Sequence, residues 1–191
     1  IMFSATLPEE VEDLINTYFL RPRKIEIVPA GTPLEKIDQS AIPAPNYKTK
    51  VNYHLQALEE SQMEKVLVFV KNKRIADRLF EDLGNSFEDE IDVIHSNKTQ
   101  NYRFQSVRKF ADGSIRILVA TDVVSRGMDI PGVSHVINFD LPKNAEQYIH
   151  RIGRTGRARQ HGKAISLFTP AEDEMLLEIE ILMLKEVPRK E

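Results

Sequence analysis

Short runs of apolar and β-branched residues are the most regular feature of the chain. In the runs at 66–70 and 117–120, every successive residue is apolar. A strand with one solvent-facing side would alternate in polarity, so these runs indicate strands covered on both faces, as in a parallel sheet between helix layers. The predicted strands are 24–28, 38–42, 66–70, 91–95, 115–120, 135–139 and 164–168.

Between these runs, apolar residues recur at the three- and four-residue spacing of amphipathic helices. The predicted helices are 8–19, 47–59, 73–83, 100–111, 145–152 and 171–184. Because strands and helices alternate along the chain, we expect an α/β fold. Its sheet should be doubly wound and mostly parallel, with helices on both faces.

The last predicted helix carries apolar residues along its whole length. Its stripe at helical spacing consists of Met175, Leu176, Ile179, Leu182 and Met183. We expect this stripe to pack against the sheet, and a surface for a partner is the alternative.

Prolines separate a short first segment from the main body of the chain. Proline and glycine cluster at 29–33, and only one predicted helix and one predicted strand precede them. Two elements cannot bury a core of their own. The sequence therefore predicts the end of a preceding domain at 1–30, an interdomain linker at 31–37 and a second domain at 38–191. Since the first residue is Ile1, we interpret the chain as a piece of a longer protein.

Composition excludes several classes of protein. Of the 191 residues, 41% are hydrophobic, yet no apolar run approaches the roughly 20 residues that cross a bilayer. There is no cysteine, and the five histidines lack metal-type spacing, so we expect no disulfide, no cysteine nucleophile and no metal site. The lack of cysteines and of a signal peptide suits a reducing compartment, and we expect a cytoplasmic protein without a membrane partner.

Charge is unevenly placed along the chain. The net charge is −3, which taken alone argues against a nucleic-acid partner. However, the segment 143–163 holds six basic residues against one acid, whereas 171–191 holds seven acids against three bases. A cationic segment next to an acidic one indicates that charge is concentrated in particular segments rather than spread evenly.

The octet from His150 to Arg157, with the sequence HRIGRTGR, combines arginines with glycines. Arg154 and Arg157 are three residues apart, so on a continuing helical turn they would project from one face. Two converging guanidinium groups can clamp a polyphosphate, because each is a rigid and permanently charged fork of donors. A solvated basic face or a general nucleic-acid patch is the alternative.

A second polar segment directly follows a predicted strand, at the edge where open α/β sheets bind ligands. Thr121, Ser125 and the peptide of Arg126 and Gly127 can donate hydrogen bonds to phosphate oxygens. Asp129 can accept hydrogen bonds from ribose hydroxyls. An ordinary helix cap and a turn residue are the alternatives for this segment.

A third polar segment, 95–103, follows another predicted strand. Thr99 is placed to cap a helix, and Gln100 and Arg103 would share a face of that helix. A polar loop that leads into a helix N-terminus offers backbone amides to a phosphate. A capped surface helix without a ligand is the alternative.

These elements, in this order and spacing, resemble the DEAD-box ATP-dependent RNA helicases of superfamily 2, and the resemblance covers essentially the whole chain. The matching elements are Ser4 to Thr6 (SAT), Val66 to Lys73, Gln100 with Arg103 (QxxR), Ala120 to Asp129 (ATDxxxRGxD), Val136 to Pro142 (VINxDxP) and His150 to Arg157. The segments 94–100 and 164–169 are most similar to the bacterial RhlE-type branch.

The resemblance implies a second RecA-like domain that closes over ATP held by a first one. In this family the counterparts of Arg154 and Arg157 reach the γ-phosphate, the latter as an arginine finger that stabilises transition-state charge. Gly127 and Asp129 match positions that contact ATP, and His150 matches a position that couples the ATP and RNA sites.

The resemblance also implies an RNA-binding groove. The residues that match positions along the RNA backbone are Ser96, Gln100, Arg103, Thr121, Arg126 and Gly127. Contacts to phosphates and 2′-hydroxyls would make binding indifferent to base sequence and sensitive to salt. Ser96 departs from the family pattern, where glycine is common, so a phosphate would find less room there.

Much of the machinery of such an enzyme is absent from these 191 residues, which contain no GxxxxGK[ST] loop and no Asp-Glu-Ala-Asp sequence. The resemblance implies ATP and Mg²⁺ as cofactors of the full-length protein. We expect the Mg²⁺ ligands in the first domain and no tightly bound cofactor in this chain. The expected partners are RNA and the first RecA-like domain in cis, to which Ser4 and Thr6 would couple, and the chain is expected to be monomeric. The alternatives are a stand-alone RNA-binding or scaffold module and a domain of another superfamily 2 translocase.

Overall fold

The computed structural model describes residues 9–19, 33–60, 63–122, 130, 132–156 and 161–190. The chain divides into two compact units, Ile1–Thr32 and Pro33–Glu191. In the first unit, helix α1 spans Glu9–Tyr18, inside the predicted helix. The strand predicted at 24–28 lies outside the described residues.

The second unit is built on a parallel sheet of six strands. The strands are β1 (Ile37–Pro43), β2 (Val66–Phe69), β3 (Ile91–Ile94), β4 (Ile117–Ala120), β5 (His135–Asn138) and β6 (Gly162–Phe168). Their order across the sheet is β1-β6-β5-β2-β4-β3, and every neighbouring pair runs parallel. Every residue of β2, β3, β4 and β5 is buried, and the continuous apolar runs of β2 and β4 predict this for those two strands.

Helices cover both faces of the sheet, which confirms the predicted doubly wound α/β fold. The helices are α2 (Tyr47–Glu60), α3 (Lys73–Phe87), α4 (Gln100–Asp112), α5 (Ala145–Ile152) and α6 (Asp173–Met183). One core cluster joins Val66 and Val68 of β2 to α2 and α3. The other joins Leu67 and Phe69 of the same strand to α4, α5 and α6. Successive residues of one strand thus feed two separate cores.

Because all six strands are parallel, the fold has two functionally distinct edges. The segments that follow β2, β3, β4 and β5 all leave the sheet at its carboxyl edge. Each crossover then returns the chain to the amino edge before the next strand begins. The helix α5 and the turn after it make such a return, from β5 to the start of β6.

The turn after α5 differs from the expectation of a continuing helix through Arg154 and Arg157. The helix ends at Ile152, and Gly156 has a φ of 68°, in the left-handed region that favours glycine. Thr155 Oγ1 donates to the Val133 carbonyl at 2.7 Å, which fixes the turn at the amino edge of the sheet. A Cβ on Gly162 would lie 2.4 Å from that hydroxyl, so only glycine allows β6 to start here. Arg154 therefore lies in a turn rather than in a helix, and Arg157 lies outside the described residues.

The stripe on α6 packs against the sheet only in part. Leu176 and Ile179 are fully buried, and Met175 and Met183 are packed against the same core. Leu182, predicted as part of the stripe, is 47% exposed. Within the part of the chain that the structure describes, no helix has the length and apolar character of a membrane span.

Candidate functional site

The structure brings Ser96, Gln100, Arg103 and Thr121 to one region of the carboxyl edge. Strand β3 is followed by His95 and then Ser96, and Thr121 directly follows the neighbouring strand β4. The Thr121 backbone N–H donates to the Ile94 carbonyl at 3.3 Å, which extends the pairing of the two strands past their ends. Two of the loops predicted to form a groove are therefore adjacent.

Helix α4 begins at the same edge. Thr99 is its N-cap, and the Thr99 hydroxyl accepts a hydrogen bond from the Tyr102 backbone N–H at 3.2 Å. The cap places Gln100 and Arg103 in the first turn, where the Arg103 guanidinium donates to the Gln100 side-chain oxygen. The expectation that these two side chains share a helical face is met.

Two polar atoms at this edge are buried without a hydrogen-bond partner among the described residues. They are Arg103 Nε and Thr121 Oγ1. Leaving such a group unpaired costs about 1–3 kcal/mol, and native structures contain few examples. One atom is a cationic N–H donor and the other a hydroxyl, so together they suit a ligand that carries phosphate or hydroxyl oxygens.

The loop that carries Ser96 is held by a buried histidine. His95 Nδ1 accepts a hydrogen bond from the Asn97 backbone N–H at 3.2 Å. The proton therefore sits on Nε2, which donates to Asp77 at 2.9 Å, and Lys98 pairs with the same carboxylate at 3.2 Å. Partial burial would raise the pKa of Asp77, but the hydrogen bonds from His95 and Lys98 outweigh it and lower that pKa.

The octet at 150–157 lies at the far end of α5. His150 is exposed in the last helical turn, and Arg154 Nε donates to the His150 carbonyl at 3.4 Å in the turn that follows. Neighbouring Thr155 is anchored to the amino edge, away from Ser96 and Thr121. Predicted site residues outside the described part of the chain are Ser4, Thr6, Arg126, Gly127, Asp129 and Arg157.

Arg151 is a site residue that the sequence analysis missed. Its side chain is 1% exposed and forms a two-point ion pair with Asp122, at 2.7 Å and 2.8 Å. Its Nη1 also donates to Asn138 Oδ1 at 3.2 Å and to the Asp140 carbonyl at 2.7 Å. Since Asp122 follows Thr121, Arg151 ties the end of β4 to α5. The available signal was its position three residues after Tyr148, on the same face of α5.

Lys50 forms a second buried ionic contact at the carboxyl edge. Lys50 Nζ lies 3.3 Å from Asp140 Oδ1, and both side chains are less than a tenth exposed. The other oxygen of Asp140 accepts a hydrogen bond from the Lys71 backbone N–H at 3.0 Å. This pair joins α2 to the ends of β5 and β2. One turn along α2, burial lowers the pKa of His54 to about 4, so this histidine stays neutral near pH 7.

The described residues of the octet have side chains that fit a nucleotide only in part. Arg154 is a cation and His150 a hydrogen-bonding group, which suits phosphate oxygens. No cluster of three or more His, Cys, Asp or Glu side chains that could hold a metal ion occurs among the described residues.

The sequence matches a known domain family and known proteins. Residues 49–159 match the model of the helicase conserved C-terminal domain. The chain is similar to RNA helicase CrhR of Synechocystis sp. (38% identity over 181 residues) and to DEAD-box ATP-dependent RNA helicase CshA of Bacillus subtilis (38% over 180 residues). These matches cover 93% and 94% of the chain, respectively, but only 36% of each relative, so the chain spans about a third of their length.

The fold is also similar to that of a solved complex. The structure of S. cerevisiae Dbp5 bound to RNA and ADP BeF3 superimposes with a TM-score of 0.86 at 28% identity. The match covers 98% of this chain and 50% of that one.

Proposed function

The chain belongs to the helicase conserved C-terminal domain family, in its DEAD-box type, and on this basis we propose that it is the half of an ATP-dependent RNA helicase that grips RNA and completes the ATP site. Assignment to the RhlE-type branch stays a prediction. The intact protein would use ATP to unwind or remodel RNA, as RNA helicase CrhR and DEAD-box ATP-dependent RNA helicase CshA are named for doing.

The observation that carries the RNA half of the proposal is the pair of unpartnered buried atoms at the carboxyl edge. Arg103 Nε and Thr121 Oγ1 come from different elements, α4 and the end of β4, yet both lack a partner among the described residues. Together with Ser96 and Gln100 they offer a row of groups that suits the sugar–phosphate backbone. We assign Arg126 and Gly127 to the same row on the sequence resemblance alone.

Replacing Arg103 by alanine in the intact protein should weaken RNA binding by about tenfold, because one charge-assisted contact to a phosphate is lost. The loss should be similar for poly-U and for mixed-sequence RNA, and the salt dependence of binding should become less steep. The measurement is an RNA titration with a non-hydrolysable ATP analogue at several salt concentrations.

Arg108→Ala is the matched control, because Arg108 is an exposed arginine on the same helix, outside the predicted site. It should bind RNA like the wild type. Equal affinity of the wild type and Arg103→Ala would remove Arg103 from the site. Losses that differ sharply between RNA sequences would contradict the backbone groove.

We assign the nucleotide half to the octet. Arg154 and Arg157 would contact the γ-phosphate, Gly127 and Asp129 the rest of the nucleotide, and His150 would couple this site to the RNA groove, with Ser4 and Thr6 acting in the preceding unit. ATP supplies the phosphoryl group and the free energy, and Mg²⁺ would be held by the first domain. Two observations support this assignment. The octet HRIGRTGR resembles an element of the DEAD-box helicases, and Arg154 lies in a turn that Thr155 anchors.

The isolated chain is expected to show no ATP hydrolysis and to bind ATP weakly or not at all, since its sequence contains no phosphate-binding loop of the GxxxxGK[ST] type. The measurement is phosphate release by rigorously purified chain, with and without RNA, and the intact protein serves as the positive control. Turnover by the chain alone, in proportion to its concentration, would overturn this division of labour.

A further inference from the structure

Helix α6 is apolar on its outer side as well as on the side that packs against the sheet. Leu177 is 54% exposed, Ile181 is 64% exposed and Leu184, the residue that ends the helix, is 93% exposed. The four-residue spacing of Leu177 and Ile181 places them in one line, and Leu184 follows directly after the helix; we call these three residues the α6 ridge. A helix with two apolar sides is usually covered on both.

Acidic side chains run beside this ridge. Glu174 and Glu178 are exposed, and each lies three residues before a member of the ridge, Leu177 or Ile181. Neither carboxylate forms a salt bridge with a basic side chain of the described residues. The surface thus combines an apolar line with an adjacent negative line.

The ridge is presented on a firmly held helix. On the inner side, Glu180 Oε1 accepts a hydrogen bond from the Val187 backbone N–H at 2.6 Å and pairs with Arg189. The segment after the helix then joins the edge of the sheet, where Ala41 and Lys190 share a backbone hydrogen bond of 2.8 Å. Burial would raise the pKa of Glu180, but its hydrogen bonds to Arg189 and Val187 lower it on balance, so the carboxylate stays charged.

We propose that the α6 ridge docks a basic amphipathic helix of another protein, with apolar residues against Leu177 and Ile181 and lysines or arginines against Glu174 and Glu178. Burial of the ridge would drive association, and the charge pairs would set orientation and exclude acidic helices. This proposal is independent of RNA and ATP binding.

A second copy of the chain fits this surface less well. Both copies would bring the same acidic residues, Glu174 and Glu178, to the contact, and α6 of neither copy would bring basic partners for them. The ridge from Leu177 to Leu184 is also only about 10 Å long at 1.5 Å per residue. Pairing through it alone would bury less than the roughly 1,200 Å² typical of stable dimers.

The test uses three synthetic peptides about four turns long, added to the 191-residue chain. The first has leucines at helical spacing flanked by lysines, the second has glutamates in place of the lysines, and the third is a scramble of the first. Fluorescence anisotropy should show binding of the lysine peptide at roughly 10–100 μM, and at least about tenfold weaker binding of the other two.

Variants locate the binding surface. Ile181→Ser should weaken the lysine peptide by about tenfold through lost apolar contact, whereas Phe104→Ser, at a 58% exposed residue of α4, should leave it unchanged. The double variant Glu174→Lys/Glu178→Lys should reverse the preference in favour of the glutamate peptide. Circular dichroism and thermal melting confirm that each variant is folded.

Three results would overturn the proposal. The first is equal binding of the lysine peptide and its scramble, or no binding of either. The second is lysine-peptide binding that Ile181→Ser leaves unchanged. The third is a concentration-dependent dimer, seen by light scattering, that Ile181→Ser abolishes, because it would make the occupant a second copy of the chain.

Discussion

Replacing Arg157 by alanine in the intact protein should lower ATP turnover by about 10³–10⁵-fold, the range that arginine fingers contribute in other nucleotide hydrolases. The Michaelis constant should change little, because the guanidinium would stabilise charge that develops only in the transition state. Arg157 itself lies outside the described residues, but it directly follows Gly156, which has a left-handed backbone, and the anchored Thr155.

The measurement is steady-state ATP hydrolysis at saturating RNA, with RNA affinity measured in parallel. Arg159→Ala is the matched control, since it removes an arginine two positions beyond the octet and should retain most of the activity. Wild-type turnover in Arg157→Ala would reduce the octet to a basic surface patch.

The second large effect is expected at Arg151. Replacing it with methionine keeps much of the aliphatic volume but removes the ion pair with Asp122 and the donors to Asn138 and Asp140. Removal of one partner from a buried pair typically costs about 3–5 kcal/mol, and we expect about 3 kcal/mol because Asp122 is 31% exposed. The measurement is the free energy of unfolding of the chain in urea.

The same variant has a functional consequence. Because Asp122 follows Thr121, a loosened β4 end should also weaken RNA binding by the intact protein. Arg108→Met is the stability control and should stay within about 0.5 kcal/mol of the wild type, since Arg108 is exposed. A loss below about 1 kcal/mol for Arg151→Met would show that the network contributes little to holding β4 and α5 together.

The sheet was predictable because its strands are short, continuous and apolar. The runs at β2 and β4 allow no exposed face, so a sheet between two helix layers is the arrangement that satisfies them. Strand ends were less certain: the prediction 115–120 includes Ile115 and Arg116, whereas β4 begins at Ile117. The polarity of the residues at a strand end does not show where the hydrogen bonds to the neighbouring strands begin.

The carboxyl-edge site was predictable in outline, because Ser96 and Thr121 follow predicted strands and parallel strands share an edge. The role of Arg151 was not. Its spacing from Tyr148 places it on the buried face of α5, but its partners Asp122 and Asn138 are 29 and 13 residues away in the sequence. Contacts between distant positions are not encoded in local spacing.

The end of α5 and the outer face of α6 show the limits of helical spacing. A three-residue spacing would place Arg154 and Arg157 on one face of a continuing helix, but α5 ends at Ile152, and Arg157 lies outside the described residues. In α6, Leu176 and Leu177 are equally apolar, and only packing shows that the first is buried and the second exposed. A helix with apolar residues on two sides does not reveal which of them faces the core.

The most direct test of the central claim is ATP turnover by the intact protein as a function of RNA concentration, for wild type and Thr121→Val. The variant replaces a buried hydroxyl that has no partner among the described residues by a methyl group of similar size. If the carboxyl edge is an RNA groove, turnover of the wild type should rise with RNA to a plateau. Thr121→Val should then need several-fold more RNA to reach half of its own plateau. Turnover that is the same with and without RNA, or identical RNA dependence in both proteins, would contradict the assignment.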